Sequence, residues 1–191
     1  MKRIAVGIML FALLVGCQSK TESDQSAQTT PATQQQAQQT RTMNNGPEMR
    51  PSDALLTIDN ITTAPGESGS FVIKYNGDEP AKAMVVPLKI PTGMHIDSVS
   101  WAGSMIDYLA NKPVRIANEQ NLLLIAAVPV TEPPVPTGAG TLATVYYTMQ
   151  PDAKSGMIEE TFAPPANQLS YVDTAKTLAH INFAGAQVTV Q

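Results

Sequence analysis

The chain has 191 residues, with 12 Lys and Arg against 16 Asp and Glu, and its formal net charge at pH 7 is −4. Because the lysines past the N-terminus are scattered singly, this balance repels a polyanion and excludes nucleic acid as an expected partner. The single cysteine has no second thiol for a disulfide, so we expect the fold to be stabilised by its apolar core.

The N-terminus has the pattern of an export signal. Lys2 and Arg3 are followed by residues 4–15, which are uncharged and contain one glycine. This stretch is shorter than the roughly 20 apolar residues that a membrane-spanning helix requires. We therefore expect residues 1–16 to be a signal peptide that is removed.

The end of this segment, Leu14-Val15-Gly16-Cys17, resembles the bacterial lipobox. The resemblance implies cleavage before Cys17, a thioether-linked diacylglycerol on its sulfur and an acylated amino group, typically with palmitate. Two acyl chains suffice for stable membrane anchoring. Gln18 stands where aspartate is the usual inner-membrane retention signal, which favours the outer membrane in a Gram-negative organism. The alternative is an ordinary signal peptide with an unmodified cysteine.

Residues 17–51 are predicted to be a lipidated cysteine followed by a disordered tether. Gln, Thr, Ser and Ala dominate residues 18–51, and aromatic residues are absent. Such a segment cannot bury enough apolar surface to offset its chain entropy. As a flexible coil it would span roughly 30 to 35 Å, which holds the next domain away from the membrane.

Residues 52–191 suit one domain, and their pattern is strand after strand. Phe71, Ile73 and Tyr75 alternate on one face of a predicted strand, and Asn76-Gly77-Asp78 predicts a hairpin turn after it. The other predicted strands are residues 55–60, 83–90, 95–101, 114–117, 122–128, 142–149, 157–162, 169–172 and 186–190. Residues 104–110 have a spacing that is also compatible with a helical turn. Short strands separated by Pro and Gly loops predict an all-β sandwich or barrel.

The order of these features resembles the cohesin-like, carbohydrate-binding-module-type jelly-roll sandwich. The resemblance rests on Gly66-Glu67, residues 76–80, Val86-Pro87-Leu88, residues 96–100, Gly138-Ala139-Gly140 before residues 142–147, and residues 188–190. It covers nearly the whole domain and implies an antiparallel, jelly-roll-type β-sandwich of about 8–10 strands. Cohesins bind dockerins through one sheet face, but no residue set in this sequence matches such a contact surface.

The sequence offers little for catalysis, and we expect a protein that is not an enzyme. Residues 66–70 lack the final glycine of a nucleophile elbow and lead into a strand instead of a helix. His95 and His180 have no metal-ligand spacing, so surface positions are expected for them. Glu159 and Glu160 should point to opposite faces of a strand.

No cofactor is expected, although a calcium ion is compatible with aspartates near predicted strand ends. These aspartates are Asp59, Asp78, Asp97 and Asp173, and turn capping is their favoured role. Candidate ligand-binding residues are Trp101, Tyr108 and Tyr146, because sugar rings stack on exposed aromatic faces.

Three functions remain open from the sequence. The leading one is a lipid-anchored cell-envelope module that binds or scaffolds an extracellular or periplasmic protein through a sandwich face or the Pro-rich residues 132–140. The second is a lipoprotein that binds polysaccharide with at least two coplanar exposed aromatics. The third is an enzyme or metal site, in which His95 or His180 would have to meet carboxylates in a cleft.

Overall fold

A computed structural model describes residues 49–163 and 168–191. The predicted signal peptide, Cys17 and residues 18–48 lie outside the described residues. The described part contains twelve strands and one 3-10 helix, and none of its helices is long and apolar enough to cross a membrane. The strands are β1 (Leu55–Thr57), β2 (Ile61–Thr63), β3 (Ser68–Gly77), β4 (Ala81–Lys89), β5 (Met94–Ser100), β6 (Val114–Ala117), β7 (Leu122–Ala127), β8 (Gly138–Met149), β9 (Gly156–Glu160), β10 (Ser170–Asp173), β11 (Leu178–His180) and β12 (Ala186–Val190). The predicted all-β fold is confirmed.

The strands form two sheets. The β3–β8 sheet has the order β1-β3-β8-β5, and β3 pairs with β8 over the whole length of β3. In the β4–β7 sheet, β4 pairs with β7 along one edge and with β10 and β9 along the other. Next to these lie β6 beside β7, β11 beside β10, and β12 beside β9. All these pairs are antiparallel, and β12 then pairs in parallel with β2.

The core lies between the two sheets because side chains alternate along each strand. Phe71, Ile73 and Tyr75 are buried on the inner face of β3, as the sequence predicts. The facing layer comes from inner positions of β4 and β7. Its members are Met84, Val86, Leu88, Leu123, Ile125 and Ala127, all at most 1% exposed.

The predicted hairpin at Asn76-Gly77-Asp78 is wrong. The strands on either side of it, β3 and β4, belong to different sheets, and neither Asn76 nor Gly77 has a positive φ. Glycine at position 77 has a steric role, since a Cβ there would lie 2.8 Å from Cε1 of Tyr75. The segment therefore turns the chain from one sheet to the other.

Two short strands were not predicted from the sequence, and the first predicted strand is only half as long as expected. The strand predicted at residues 55–60 ends at Thr57, and β2 begins at Ile61 in the other sheet. The other unpredicted strand is β11, which pairs with β10 and forms a parallel bridge between Ala179 and Arg50. Residues 104–110 form hydrogen-bonded turns and no helix.

Two adjacent leucines of β7 test the two-layer arrangement. Leu123 is fully buried in the core, whereas Leu124 is partly exposed on the outer side of the same strand. We expect Leu123→Ala to lower the free energy of unfolding by about 2–5 kcal/mol. The matched variant Leu124→Ala should lower it by less than about 1 kcal/mol, the usual range for surface changes. Urea denaturation of both variants measures this, and equal losses would contradict the two-layer packing.

Candidate protein-binding face

The central strands of the β4–β7 sheet are apolar on both faces. Residues 83–88 of β4 and residues 122–127 of β7 contain no polar side chain. An antiparallel sheet with one face in the core normally has polar residues on its other face. Because only alternate residues of β4 and β7 reach the core, the remaining apolar side chains lie on the outside.

We call the outside of strands β6, β7, β4, β10 and β11 the outer apolar face. Cross-strand pairing aligns its residues in rows, because directly paired residues share a face. Its members are Arg115 and Ala117 of β6, Leu122, Leu124 and Ala126 of β7, Ala83, Val85, Pro87 and Lys89 of β4, Ser170 and Val172 of β10, and Leu178 and His180 of β11.

The aliphatic members of this face do not belong to the core. Leu122 is only 8% exposed and is nevertheless absent from the cluster of side chains that fills the space between the sheets. Val85, Leu124 and Val172 are partly exposed and are also absent from that cluster. These side chains thus form a second apolar surface, separated from the core by the sheet itself.

Charged groups lie at the border of the outer apolar face. Lys89 pairs with Glu159 at 3.6 Å, and His180 lies 3.4 Å from Glu160. The two adjacent glutamates therefore contact different strands, Glu159 at Lys89 of β4 and Glu160 at His180 of β11. Arg115 donates a hydrogen bond to the Gln120 side chain at 3.3 Å. A polar border around an apolar centre is the usual composition of a protein–protein interface.

The outside of the β3–β8 sheet is polar by contrast. Its outer positions on β3 and β8 are Ser70, Val72, Lys74, Asn76, Thr144, Tyr146 and Thr148. Thr148 donates to Asp97 at 2.9 Å, and Asp97 lies 3.1 Å from Nδ1 of His95. Nε2 of His95 lies 3.0 Å from Nδ2 of Asn118. Both ring nitrogens of His95 therefore have hydrogen-bonding partners. The side chain is exposed, and this is the surface position expected from the sequence.

The candidate aromatic residues occupy three different surroundings. Trp101 is partly buried and packs against the core. Tyr108 and Tyr146 are each 45% exposed, the first in the connection between β5 and β6 and the second on the outside of β8. The one ring pair among the described residues is Phe71 with Tyr147. The structure therefore does not bring the three candidates together as stacked or paired rings.

The Pro-rich segment before β8 is fixed by hydrogen bonds. The carboxylate of Glu132 accepts from the backbone N–H groups of Ala110, Val130 and Thr131 at 3.0, 3.0 and 3.1 Å. These bonds, that from Ala110 first, lower the pKa of Glu132 to about 2. The Tyr108 hydroxyl donates to the carbonyl of Pro134 at 2.7 Å. The segment is thus fastened to the β5–β6 connection.

Each of the four aspartates considered for calcium has protein partners. Asp59 pairs with Lys74 at 2.6 Å, and Asp97 with His95 and Thr148 as described above. Asp78 accepts a 2.7 Å hydrogen bond from Tyr171, while Asp173 pairs with Arg50 and accepts from the Thr177 N–H. Across residues 49–163 and 168–191, no three acidic, histidine or cysteine side chains are grouped to hold a metal ion.

Sequence comparison finds no relative of the chain: no family model matches it, and no curated protein matches it. Solved structures do match. The Coh-OlpC–Doc435 type I cohesin–dockerin complex from Clostridium thermocellum matches with a TM-score of 0.60 and 12% identity over 72% of this chain and 93% of that chain. The Coh-OlpA–Doc918 complex from the same organism matches with a TM-score of 0.59 and 11% identity over 72% and 99%.

A non-cellulosomal cohesin from the archaeon Archaeoglobus fulgidus matches with a TM-score of 0.57 and 8% identity over 73% of this chain and 92% of that chain. At these identities the similarity establishes the fold. The chain therefore has a cohesin-like β-sandwich, as the resemblance implied. The outer apolar face was not predicted, although its signal was present in the uninterrupted apolar residues 83–88 and 122–127.

The Glu132 hydrogen bonds predict a dependence of stability on pH. Folding lowers the pKa of this carboxyl from 4.5 to about 2, so the ionised form is favoured in the folded state. Its contribution to stability is therefore present above about pH 4.5 and is lost as the pH falls towards about 2. Urea unfolding across this pH range should show a smaller fall in the free energy of unfolding for Glu132→Gln than for the unaltered protein.

Glu119→Gln is the matched control for this experiment. Glu119 is exposed in the 3-10 helix Asn118–Gln120, away from the hydrogen bonds of Glu132, so this variant should follow the pH profile of the unaltered protein. If the pH profile of Glu132→Gln coincides with those of Glu119→Gln and the unaltered protein, the Glu132 hydrogen bonds do not contribute to stability.

Proposed function

We propose that the chain is a lipid-anchored cell-envelope protein whose non-catalytic, cohesin-like β-sandwich binds a partner protein through the outer apolar face. The observation that supports this most directly is the set of aliphatic side chains on β4 and β7 that point away from the core. Of these side chains, Val85, Leu124 and Ala126 are partly exposed. Contiguous apolar surface outside the core marks sites of protein association. Burial of these side chains by a partner would provide the driving force for binding.

The composition of the face favours a protein over a polysaccharide as partner. Its centre consists of Val85, Leu122, Leu124 and Ala126, which offer neither hydrogen-bonding groups nor aromatic rings. Sugar recognition uses both. The solved cohesin–dockerin complexes agree with a protein partner, because each contains a similar sandwich bound to another protein.

The proposed anchor rests on Cys17 and the residues around it. The basic start, the apolar residues 4–15 and the lipobox-like Leu14-Val15-Gly16 precede the single cysteine of the chain. Two acyl chains on this residue would hold the protein at a membrane. The Gln- and Thr-rich residues 18–51 would then separate the sandwich from the lipid surface.

Photo-crosslinking in intact cells tests the binding face. A benzophenone amino acid at Leu124 would contact the partner, whereas the same residue at Thr144, on the outside of the other sheet, would not. We expect a discrete crosslinked protein band from position 124 that is absent for position 144. When Val85→Asp is added to the protein that carries benzophenone at position 124, the band should disappear, because a carboxylate would enter the apolar contact.

Equal crosslinking from positions 124 and 144, or no protein band from either, would contradict the proposal. A product that contains glycan and no protein would favour the polysaccharide-binding alternative. Thr144 is a suitable control position because it is also partly exposed and lies at the centre of its strand.

The anchor has a separate test. Cells grown with radioactive palmitate should label the unaltered protein and should not label Cys17→Ser, because the serine hydroxyl cannot form the thioether. Gln18→Ser, a change of the adjacent residue, should leave the label unchanged. Mass spectrometry of the N-terminal peptide should show diacylglycerol on Cys17, and label retained by Cys17→Ser would exclude this anchor.

A further inference from the structure

Arg115 stands out among the charged residues of the outer apolar face. It lies on the edge strand β6, is exposed, and pairs directly with Leu124, which in turn pairs with Pro87. These three side chains form one row across the sheet. The register therefore places Arg115 beside Leu124 at the β6 border of the face, while Pro87 at the other end of the row is buried.

The guanidinium of Arg115 has no carboxylate partner among the described residues. Its one side-chain hydrogen bond goes to the neutral amide of Gln120. Three other Lys and Arg residues do have acidic partners, namely Lys89 with Glu159, Arg50 with Glu79 and Lys74 with Asp59. An arginine has five N–H donors in a planar arrangement that matches a carboxylate, so most of the donors of Arg115 remain available to a partner.

The surroundings of Arg115 would strengthen such a pair. An ion pair between fully exposed groups contributes little, because water and salt screen it. A partner that covers Leu124 and the β6 border beside it would also remove water from the Arg115 guanidinium. An arginine left without a partner there would oppose binding, whereas one that meets a carboxylate would stabilise it.

We propose that Arg115 selects the partner by binding an aspartate or glutamate side chain that lies beside apolar residues on the partner protein. This inference rests on the proposed function, since it assumes that the outer apolar face is the contact surface. It adds the chemical class of the partner segment: apolar side chains over Leu124 and Ala126, with one acidic side chain at the β6 border.

A displayed library of random 16-residue peptides tests the inference with a defined probe. The full-length protein, purified in detergent, is used to select peptides, and each peptide is then measured against Leu124→Asp to identify those that bind the face. We expect the face-dependent peptides to share an Asp or Glu at a recurring position. Changing that residue to Asn or Gln should weaken binding to the unaltered protein by roughly tenfold.

The same acid-to-amide change should alter binding to Arg115→Gln by less than about twofold, because the guanidinium that distinguishes acid from amide is gone. Lys82→Gln is the matched control, since Lys82 is an exposed cation at the start of β4 outside the defined face. With this variant the acid and amide peptides should still differ as they do with the unaltered protein.

The outcomes separate this inference from the proposed function. Face-dependent peptides without a recurring acid, or with an acid whose replacement weakens binding to Arg115→Gln equally, would overturn the role of Arg115 and leave the binding face intact. Recovery of no peptide that depends on Leu124 would count against the binding face itself, and the inference would fail with it.

Discussion

Each strand of a two-layer sandwich has only one face that the core can bury. In β4 and β7, which are apolar on both faces, this limit decides which side chains are in the core and which lie outside it. Their inner side chains, such as Leu88 and Leu123, complete the core against β3 and β8. Their outer side chains are equally apolar, yet the sheet separates them from the core. The fold therefore leaves an apolar surface that its own chain does not bury between the sheets.

Two edges of the sandwich are partly occupied by other parts of the chain. The carboxamide of Asn118 accepts from the Ile96 N–H at 2.8 Å and donates to the Ile96 carbonyl at 2.9 Å, as a neighbouring strand would. At another edge, the Arg50 backbone bonds to Leu178 and His180 of β11. Occupied edges resist pairing with strands of other chains.

Prediction from the sequence was correct where polar and apolar residues alternate along a strand. It was wrong where contacts with distant parts of the chain determine the structure. The alternation of Phe71, Ile73 and Tyr75 specifies β3 without reference to the rest of the fold. The three-residue strands β2 and β11 are too short for any periodicity. Both pair with distant parts of the chain, β2 with β12 and β11 with Arg50. At Asn76-Gly77 the chain does turn, but β3 and β4 join different sheets, and local sequence does not determine which sheet a strand joins.

The outer apolar face escaped prediction for a related reason. A continuous apolar run gives no alternation, so residues 122–127 reveal a buried strand without revealing which side chains face a core. Only the cross-strand registers show that Leu122, Leu124 and Ala126 share the outside with Val85. The outer positions of the β3–β8 sheet are mostly polar, among them Ser70, Lys74 and Thr144. Because a fold is shared by proteins with different functions, this difference between the two outer faces is more informative about function than the sandwich itself.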